Sequence, residues 1–230
     1  MRILRFGLLL MTLSMGCGKD HAAPAVTSTG VPFLALGDSY TIGESVPPAD
    51  RWPVQLAQLS QNQPVPLATP DIIARTGWTT AELQAAIDNS GNQKAYELVS
   101  LLIGVNNQYR NQSPGTYRDE FRELLRTAVR FAGGRAGRVV VLSIPDWGQA
   151  PFAEGQDRGY IGSEIDAFNA LARQECQQAG VAFVDITDLS RGASRDATQF
   201  ADDGLHYSGR QMKQWAQRVL PVVQKLLQTP

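Results

Sequence analysis

The sequence predicts one α/β domain in which an open parallel sheet is covered by helices on both faces. Five short apolar runs alternate with helical patterns, and the segments between them have the length of the crossovers that parallel strands require. A chain of 230 residues with 43% hydrophobic and 19% charged residues suits one globular domain with a full core. We therefore expect a single three-layer α/β/α domain over residues 32–230.

The predicted strands are apolar runs of the kind found where a sheet is buried on both faces. The five runs cover residues 33–36, 71–74, 98–103, 138–144 and 181–186. Polar loops follow the first four runs, and ligands of open α/β sheets bind beyond the carboxyl ends of the strands. These loops are therefore expected to meet at one edge of the sheet. They contain Ser39, Gly77, Asn106 and Asp146.

The helices between these strands are predicted from apolar stripes and from residues that cap helix ends. Asp50 is a candidate N-cap, and Thr79 and Glu82 have capping-box spacing. Ser208 is the candidate N-cap of the last helix. The other predicted helices cover residues 50–58, 116–131 and 161–179.

Residues 1–16 have the pattern of an export signal. Arg2 and Arg5 provide a positive start, and the apolar stretch at 6–15 is too short to span a bilayer. The alternative is a buried helix, which the terminal position and the small residue before Cys17 disfavour. Residues 17–31, rich in Ala, Thr, Ser and Pro, are predicted to form a flexible tether.

Residues 13–17 resemble the lipobox of bacterial lipoproteins, with Ser14 in place of the usual leucine three residues before the cysteine. The resemblance implies that Cys17 becomes the lipid-bearing first residue of a membrane-anchored protein facing the periplasm. Plain secretion is the alternative. Cys176 would then lack a disulfide partner, and its position on an apolar helical face favours a buried hydrophobe over a reactive thiol.

The formal net charge of -1, without runs of like charge, indicates neither a nucleic-acid footprint nor a polybasic membrane patch. Partners must therefore be inferred from a site.

Ser39 is the candidate nucleophile of such a site. The first apolar run stops at Gly37, which permits the sharp turn that exposes the next side chains. The same residues also fit an ordinary polar turn, so the assignment depends on a base elsewhere in the chain.

His206 is the candidate base. Apart from His21 in the predicted tether, it is the only histidine in the sequence, so imidazole-dependent serine chemistry must use it. Asp203 precedes it by three residues, a spacing that can bring carboxylate and ring together. The alternative is a polar loop that caps the last helix.

Acyl transfer also requires donors for an oxyanion. The candidates are the backbone N–H groups of Ser39 and Gly77 and the side-chain amide of Asn106, which donates without titrating. Asp38 is the rival carboxylate, for which a local bond within its own turn is the preferred interpretation.

Together these residues resemble the motifs of the SGNH/GDSL hydrolases in order, loop context and spacing. The four blocks are Gly37-Asp38-Ser39, Gly77, Gly104-Val105-Asn106 and Asp203-Gly204-Leu205-His206. The resemblance implies a flavodoxin-like sheet and no metal or organic cofactor. The implied triad is Ser39, Asp203 and His206, and the implied oxyanion hole is Ser39, Gly77 and Asn106.

The resemblance leaves the substrate open, because relatives cleave lysophospholipids, thioesters, short-chain and aryl esters and acetylated carbohydrates. A small-molecule, lipid or glycan ester is therefore expected. The candidates for contact with substrate are Asp38, Asn107, Tyr109, Arg110, Asp146 and Trp147. Packing and loop bonding are the alternative for these side chains, and packing is slightly favoured for Trp147.

The sequence thus predicts a serine esterase that acts through an acyl-enzyme. The first alternative is a surface lipoprotein that binds a glycan or lipid without turnover, although binding alone does not demand a nucleophile, a base and oxyanion donors together. A flavodoxin-like nucleotide binder ranks last, because no glycine-rich phosphate loop follows any strand.

Overall fold

A five-stranded sheet forms the centre of the computed structural model, which describes residues 30–229. The strands are β1 (Phe33–Gly37), β2 (Asp71–Ala74), β3 (Leu98–Leu102), β4 (Val139–Leu142) and β5 (Ala182–Val184). Their order is β2-β1-β3-β4-β5, and every pairing is parallel. This is the flavodoxin-like order. The predicted fold class is confirmed.

Helices cover the sheet in two layers. Those before the fourth strand are α1 (Ser39–Ile42), α2 (Trp52–Ser60), α3 (Thr80–Ser90), α4 (Val105–Tyr109) and α5 (Pro114–Phe131). Those after it are α6 (Arg158–Ala179), α7 (Thr187–Gly192) and α8 (Gly209–Gln228). α2 packs against α8, and α5 packs against both α3 and α6.

The sheet order places a crevice between β1 and β3. The chain leaves β1 toward β2 on one side and leaves β3 toward β4 on the other, so the crossovers diverge at this point. Gly37 pairs with Leu102 at the carboxyl ends of the two strands. The loops that follow β1 and β3 therefore leave the sheet at the same level.

Two predicted helix caps are confirmed and one is wrong. The side chain of Thr79 accepts from the Glu82 N–H at 3.3 Å and Glu82 accepts from the Thr79 N–H at 2.8 Å, while Ser208 caps α8. Asp50 does not cap α2, because it ends a short 3₁₀ turn and the helix begins at Trp52. Pro53 in the first turn of α2 favours this later start, since its fixed φ suits a helix N-terminus.

Three strands, β3, β4 and β5, are shorter than predicted. Ile103 and Ile144 belong to the predicted runs but lie beyond the last strand residues, where both remain buried. Apolar character therefore marked burial there and not strand pairing. Cys176 is fully buried in α6, and burial raises the pKa of its thiol to about 12, as expected of a residue that packs as a hydrophobe.

The predictions for the export signal, for Cys17 and for most of the tether concern residues outside the described part of the chain. Within residues 30–229, no helix combines the length and the apolarity needed to cross a bilayer.

Candidate active site

Ser39 lies directly after β1, at the crevice. It is the first residue of α1, so its backbone N–H has no acceptor inside that helix. The turn that places it there requires Gly37, because a Cβ at this position would lie 2.2 Å from Thr41 Oγ1 and 2.4 Å from the carbonyl oxygen of Leu102.

Ser39 and His206 line the same small cavity, which has a volume of about 140 Å³. The remaining lining residues are Tyr40, Val105, Asn106, Tyr109, Trp147 and Leu205. The ring of Tyr40 packs edge-on against that of His206, with centroids 5.9 Å apart. The fold thus brings together a serine, a histidine and an amide from three separate segments of the chain.

Asp203 is bonded to His206 in the arrangement that a base and its orienting carboxylate require. Asp203 Oδ2 lies 2.7 Å from His206 Nδ1, and Oδ1 accepts from the backbone N–H groups of Leu205 and His206, each at 2.9 Å. Ser45, which the sequence analysis did not single out, donates its hydroxyl to Oδ2 at 2.5 Å.

The ionisation of Asp203 follows from these contacts. Burial opposes its charge, but the bonds from Ser45, His206 and Leu205 outweigh burial and hold the pKa of this carboxyl well below its ordinary value. Because a carboxylate only accepts hydrogen bonds, Nδ1 of the neutral His206 ring carries the proton. Nε2 is left as the basic nitrogen.

Asp38 has a different environment from Asp203. It is 1% exposed, and its Oδ1 accepts from the Tyr40 N–H at 3.0 Å, while Oδ2 has no partner among the described residues. Burial raises its pKa from 3.8 to about 7, against the opposing effect of backbone hydrogen bonds. The bond to Tyr40 is the local turn contact that was expected of Asp38.

Asn106 reaches the cavity from α4, immediately after β3. One of its two amide hydrogens is donated to the Trp78 carbonyl at 2.9 Å, so the side chain is fixed while its other N–H remains to be used. Gly77, next to Trp78, has a φ of +86°, which favours glycine. It lies beside the cavity and does not form part of its wall.

Arg110 ties the Gly77 turn in place. Its guanidinium donates to the Gly77 carbonyl at 2.6 Å and pairs with Glu82 of α3 at 3.2 Å. Arg110 therefore holds the turn at Gly77 and does not line the cavity.

Besides Asp38 and Arg110, two further residues predicted to contact substrate do not line the cavity. Asn107 is fully buried and bonds the side chain and backbone of Thr80 at 2.6 and 3.1 Å. Asp146 is 1% exposed and pairs with Arg191 at 2.9 Å. Both predictions are wrong, because each side chain is occupied by a partner distant in sequence.

Three aromatic side chains lie at one side of the cavity: Tyr109 and Trp147 line it, and Phe152 packs near Trp147. Trp147 packs edge-on against Tyr109, with centroids 5.3 Å apart, and its centroid lies 6.3 Å from that of Phe152. Trp147 is buried, whereas Tyr109 and Phe152 are 52% and 45% exposed. We call these three residues the aromatic rim. Phe152 was missed in the sequence, since a lone phenylalanine in a loop has no pattern that points to a site.

A larger cavity, of about 380 Å³, lies between α5 and α6. Its wall includes the buried Glu175, which is paired with Arg122 at 2.7 Å. No serine or histidine lines it, so it offers neither a nucleophile nor a base of the kind found beside Ser39. Among residues 30–229, no three His, Cys, Asp or Glu side chains are grouped so that they could hold a metal ion.

Comparison with known proteins was made for sequence and for structure. Residues 35–213 match the model of the GDSL-like lipase/acylhydrolase family. No curated protein matches the sequence.

Solved structures share the fold at low sequence identity. A lipase/acylhydrolase from Enterococcus faecalis aligns with a TM-score of 0.65 and 17% identity, covering 85% of this chain and 96% of its own. Esterase EstA from Pseudoalteromonas aligns with a TM-score of 0.67 and 12% identity, covering 86% of this chain and 99% of its own. A catalytic mutant of Axe2, an acetylxylan esterase from Geobacillus stearothermophilus, aligns with a TM-score of 0.66 and 16% identity, covering 86% of this chain and 96% of its own.

Proposed function

The chain belongs to the GDSL-like lipase/acylhydrolase family, and we propose that it is a serine esterase that hydrolyses carboxylic esters through an acyl-enzyme on Ser39. The observation that carries this proposal is the bond between His206 Nδ1 and Asp203 Oδ2, which leaves Nε2 as the basic nitrogen of a ring that lines the same cavity as Ser39.

In the first step, Ser39 Oγ attacks the ester carbonyl while His206 Nε2 takes the hydroxyl proton. The resulting imidazolium is stabilised by Asp203, which stays ionised. The negatively charged oxygen that forms from the carbonyl accepts hydrogen bonds from the N–H groups of Ser39 and Gly77 and from the free amide hydrogen of Asn106.

Collapse of the tetrahedral intermediate breaks the bond to the alcohol, which leaves with the proton from His206. Water then attacks the acyl-enzyme, with His206 taking its proton, and the acid departs as Ser39 recovers its hydrogen. The overall reaction consumes one ester and one water and yields one acid and one alcohol.

The substrate class is proposed from the surroundings of the cavity. Its small volume favours a short acyl group, and the exposed rings of Tyr109 and Phe152 in the aromatic rim offer an apolar surface to the alcohol portion. An ester of a planar alcohol or a sugar would fit this division, and an acetylated glycan is what the Geobacillus neighbour is named for.

Covalent labelling tests the proposal most directly. A fluorophosphonate should form one adduct, visible by intact mass and located on Ser39 by peptide mapping, because an activated hydroxyl attacks phosphorus as it attacks a carbonyl. Ser39→Ala is the matched control. Labelling that persists in this variant would overturn the assignment.

A substrate panel separates catalysis from binding. We expect turnover on at least one member of a set of p-nitrophenyl esters, lysophospholipids and acetylated sugars. Binding without turnover across the set would favour a surface protein that holds a glycan or lipid.

We also propose that the protein is exported and anchored through a lipid on Cys17. The support is the sequence pattern of residues 1–17 alone.

A further inference from the structure

We propose that Ser45 is a positioning residue, which holds the Asp203 carboxylate in the orientation that His206 requires. The inference rests on the proposed function, because it assigns Ser45 a role in the same acyl transfer. Ser45 and Asp203 are 158 residues apart in sequence. Their bond therefore joins the segment that carries the nucleophile to the segment that carries the base.

The geometry at Asp203 shows what the Ser45 hydroxyl contributes. Oδ1 is fixed by two backbone N–H groups of its own turn. Oδ2 has two side-chain neighbours, Ser45 Oγ at 2.5 Å and His206 Nδ1 at 2.7 Å. Without Ser45, Oδ2 would be held by a single protein contact, the one to His206. The Asp203 side chain is 31% exposed to water.

The loop that carries Ser45 is fixed to the nucleophile. The backbone N–H groups of Gly43 and Glu44 both donate to the Ser39 carbonyl at 3.0 Å. Ser45 follows directly, so any shift of the nucleophile's turn is transmitted to the oxygen of Asp203 that meets His206.

Ser45 also has an unusual backbone conformation. Its φ is +61°, in the left-handed region, which is uncommon for a residue other than glycine. Glycine would adopt this φ without strain, but the chain has serine here, and the serine hydroxyl is the group that bonds Asp203. Because of this conformation, two substitutions can distinguish the effect of losing the hydroxyl from the effect of backbone strain.

The experiment compares Ser45→Ala with Ser45→Gly. Both remove the hydroxyl, but glycine suits the positive φ and alanine does not. If the hydroxyl positions Asp203, both variants should lose about tenfold in kcat with KM nearly unchanged, as expected for loss of one hydrogen bond to a charged group. Thermal unfolding should differ between them, with glycine the more stable variant.

The pH profile gives a readout that a merely structural role would not move. A carboxylate with one hydrogen bond fewer attracts the proton of a neighbouring imidazolium more strongly, so the acidic limb of kcat/KM should move to higher pH in both variants. In an Asp203→Ala background, removing the hydroxyl of Ser45 should have no further effect on kcat.

Three results would overturn the proposal: unchanged kcat and pH profile in both variants, a loss in Ser45→Ala alone, or an equal loss in the Asp203→Ala background. The second result would assign the effect to backbone strain. The wild-type protein is labelled with a fluorophosphonate first. Absence of labelling there would count against the esterase itself, whereas labelled wild type with unaffected variants would count against Ser45 alone.

Discussion

Asp38 and Asp203 are two carboxyl groups of the candidate active site, and their surroundings shift their pKa values in opposite directions. Burial without a partner for Oδ2 raises the pKa of Asp38 to about 7. Hydrogen bonds from three residues lower the pKa of Asp203 despite burial. Only Asp203 is therefore fully ionised at neutral pH and able to stabilise an imidazolium.

This contrast predicts unequal effects on catalysis. In Asp203→Asn, the geometry should survive while His206 takes the wrong tautomer, and kcat should fall on the order of 10⁴-fold, as for loss of the orienting carboxylate in a serine-protease triad. Asp38→Asn keeps an oxygen for the Tyr40 N–H, so its kcat should fall far less. Steady-state kinetics would decide, and a larger loss in Asp38→Asn would make Asp38 the orienter.

Asp38 also predicts how stability depends on pH. Between its unfolded value of 3.8 and its folded value of about 7, the unfolded chain releases this proton and the folded protein keeps it. Rising pH therefore lowers the contribution of Asp38 to folding by about 1.4 kcal/mol per pH unit within this window, and by about 4 kcal/mol in all.

Asp38→Asn removes this dependence. The stability of the variant relative to wild type should increase from pH 4 to pH 7 and then level off, which urea unfolding at several pH values would measure. Parallel curves for the two proteins would show that Asp38 is ionised in the folded state.

Asn106 and Asn107 are adjacent but serve different purposes. Asn106→Ala removes the proposed oxyanion donor and should cost roughly 10² to 10³ in kcat with little change in KM. Asn107→Ala leaves the buried side chain of Thr80 short of a partner, so it should lower stability by about 1–3 kcal/mol and affect kcat far less. Circular dichroism and kinetics separate the two effects. A rise in KM alone for Asn106→Ala would assign it to substrate binding.

At the scale of elements, the strands and the polar loops that follow them could be predicted because apolar runs and their ends are local properties. The order of motifs then placed Ser39, Asn106 and His206 on one sheet edge. The errors at Asn107 and Asp146 have a common cause. Their partners, Thr80 and Arg191, lie 27 and 45 residues away, and no local pattern identifies such a contact.

The aromatic rim makes a prediction about specificity. Tyr109→Ala should lower kcat/KM about threefold to tenfold for p-nitrophenyl esters, because the alcohol portion loses an aromatic neighbour. Methyl esters of the same acid should change little. Tyr109→Phe keeps the ring and is the matched control. Equal losses on both ester types would place Tyr109 at the acyl group.

For the whole molecule, the proposed lipid on Cys17 predicts which cell fraction holds the protein. Cys17→Ser should move the protein from the membrane fraction to the soluble fraction, because the proposed lipid would have no attachment site. Activity on a soluble ester should not change, since the anchor is separate from the site. Unchanged membrane association would favour retention by the apolar segment itself.

The distance in sequence between Ser39 and His206 has a consequence for biosynthesis. The serine is made early, within the first strand and helix of the domain, and the histidine emerges only shortly before α8. A growing chain therefore carries a hydroxyl without its base until nearly all of the domain has been synthesised. Because α8 packs on α2, the last helix to be made completes the layer begun by one of the first. The proposed nucleophile therefore gains its proposed base only when the domain is nearly complete.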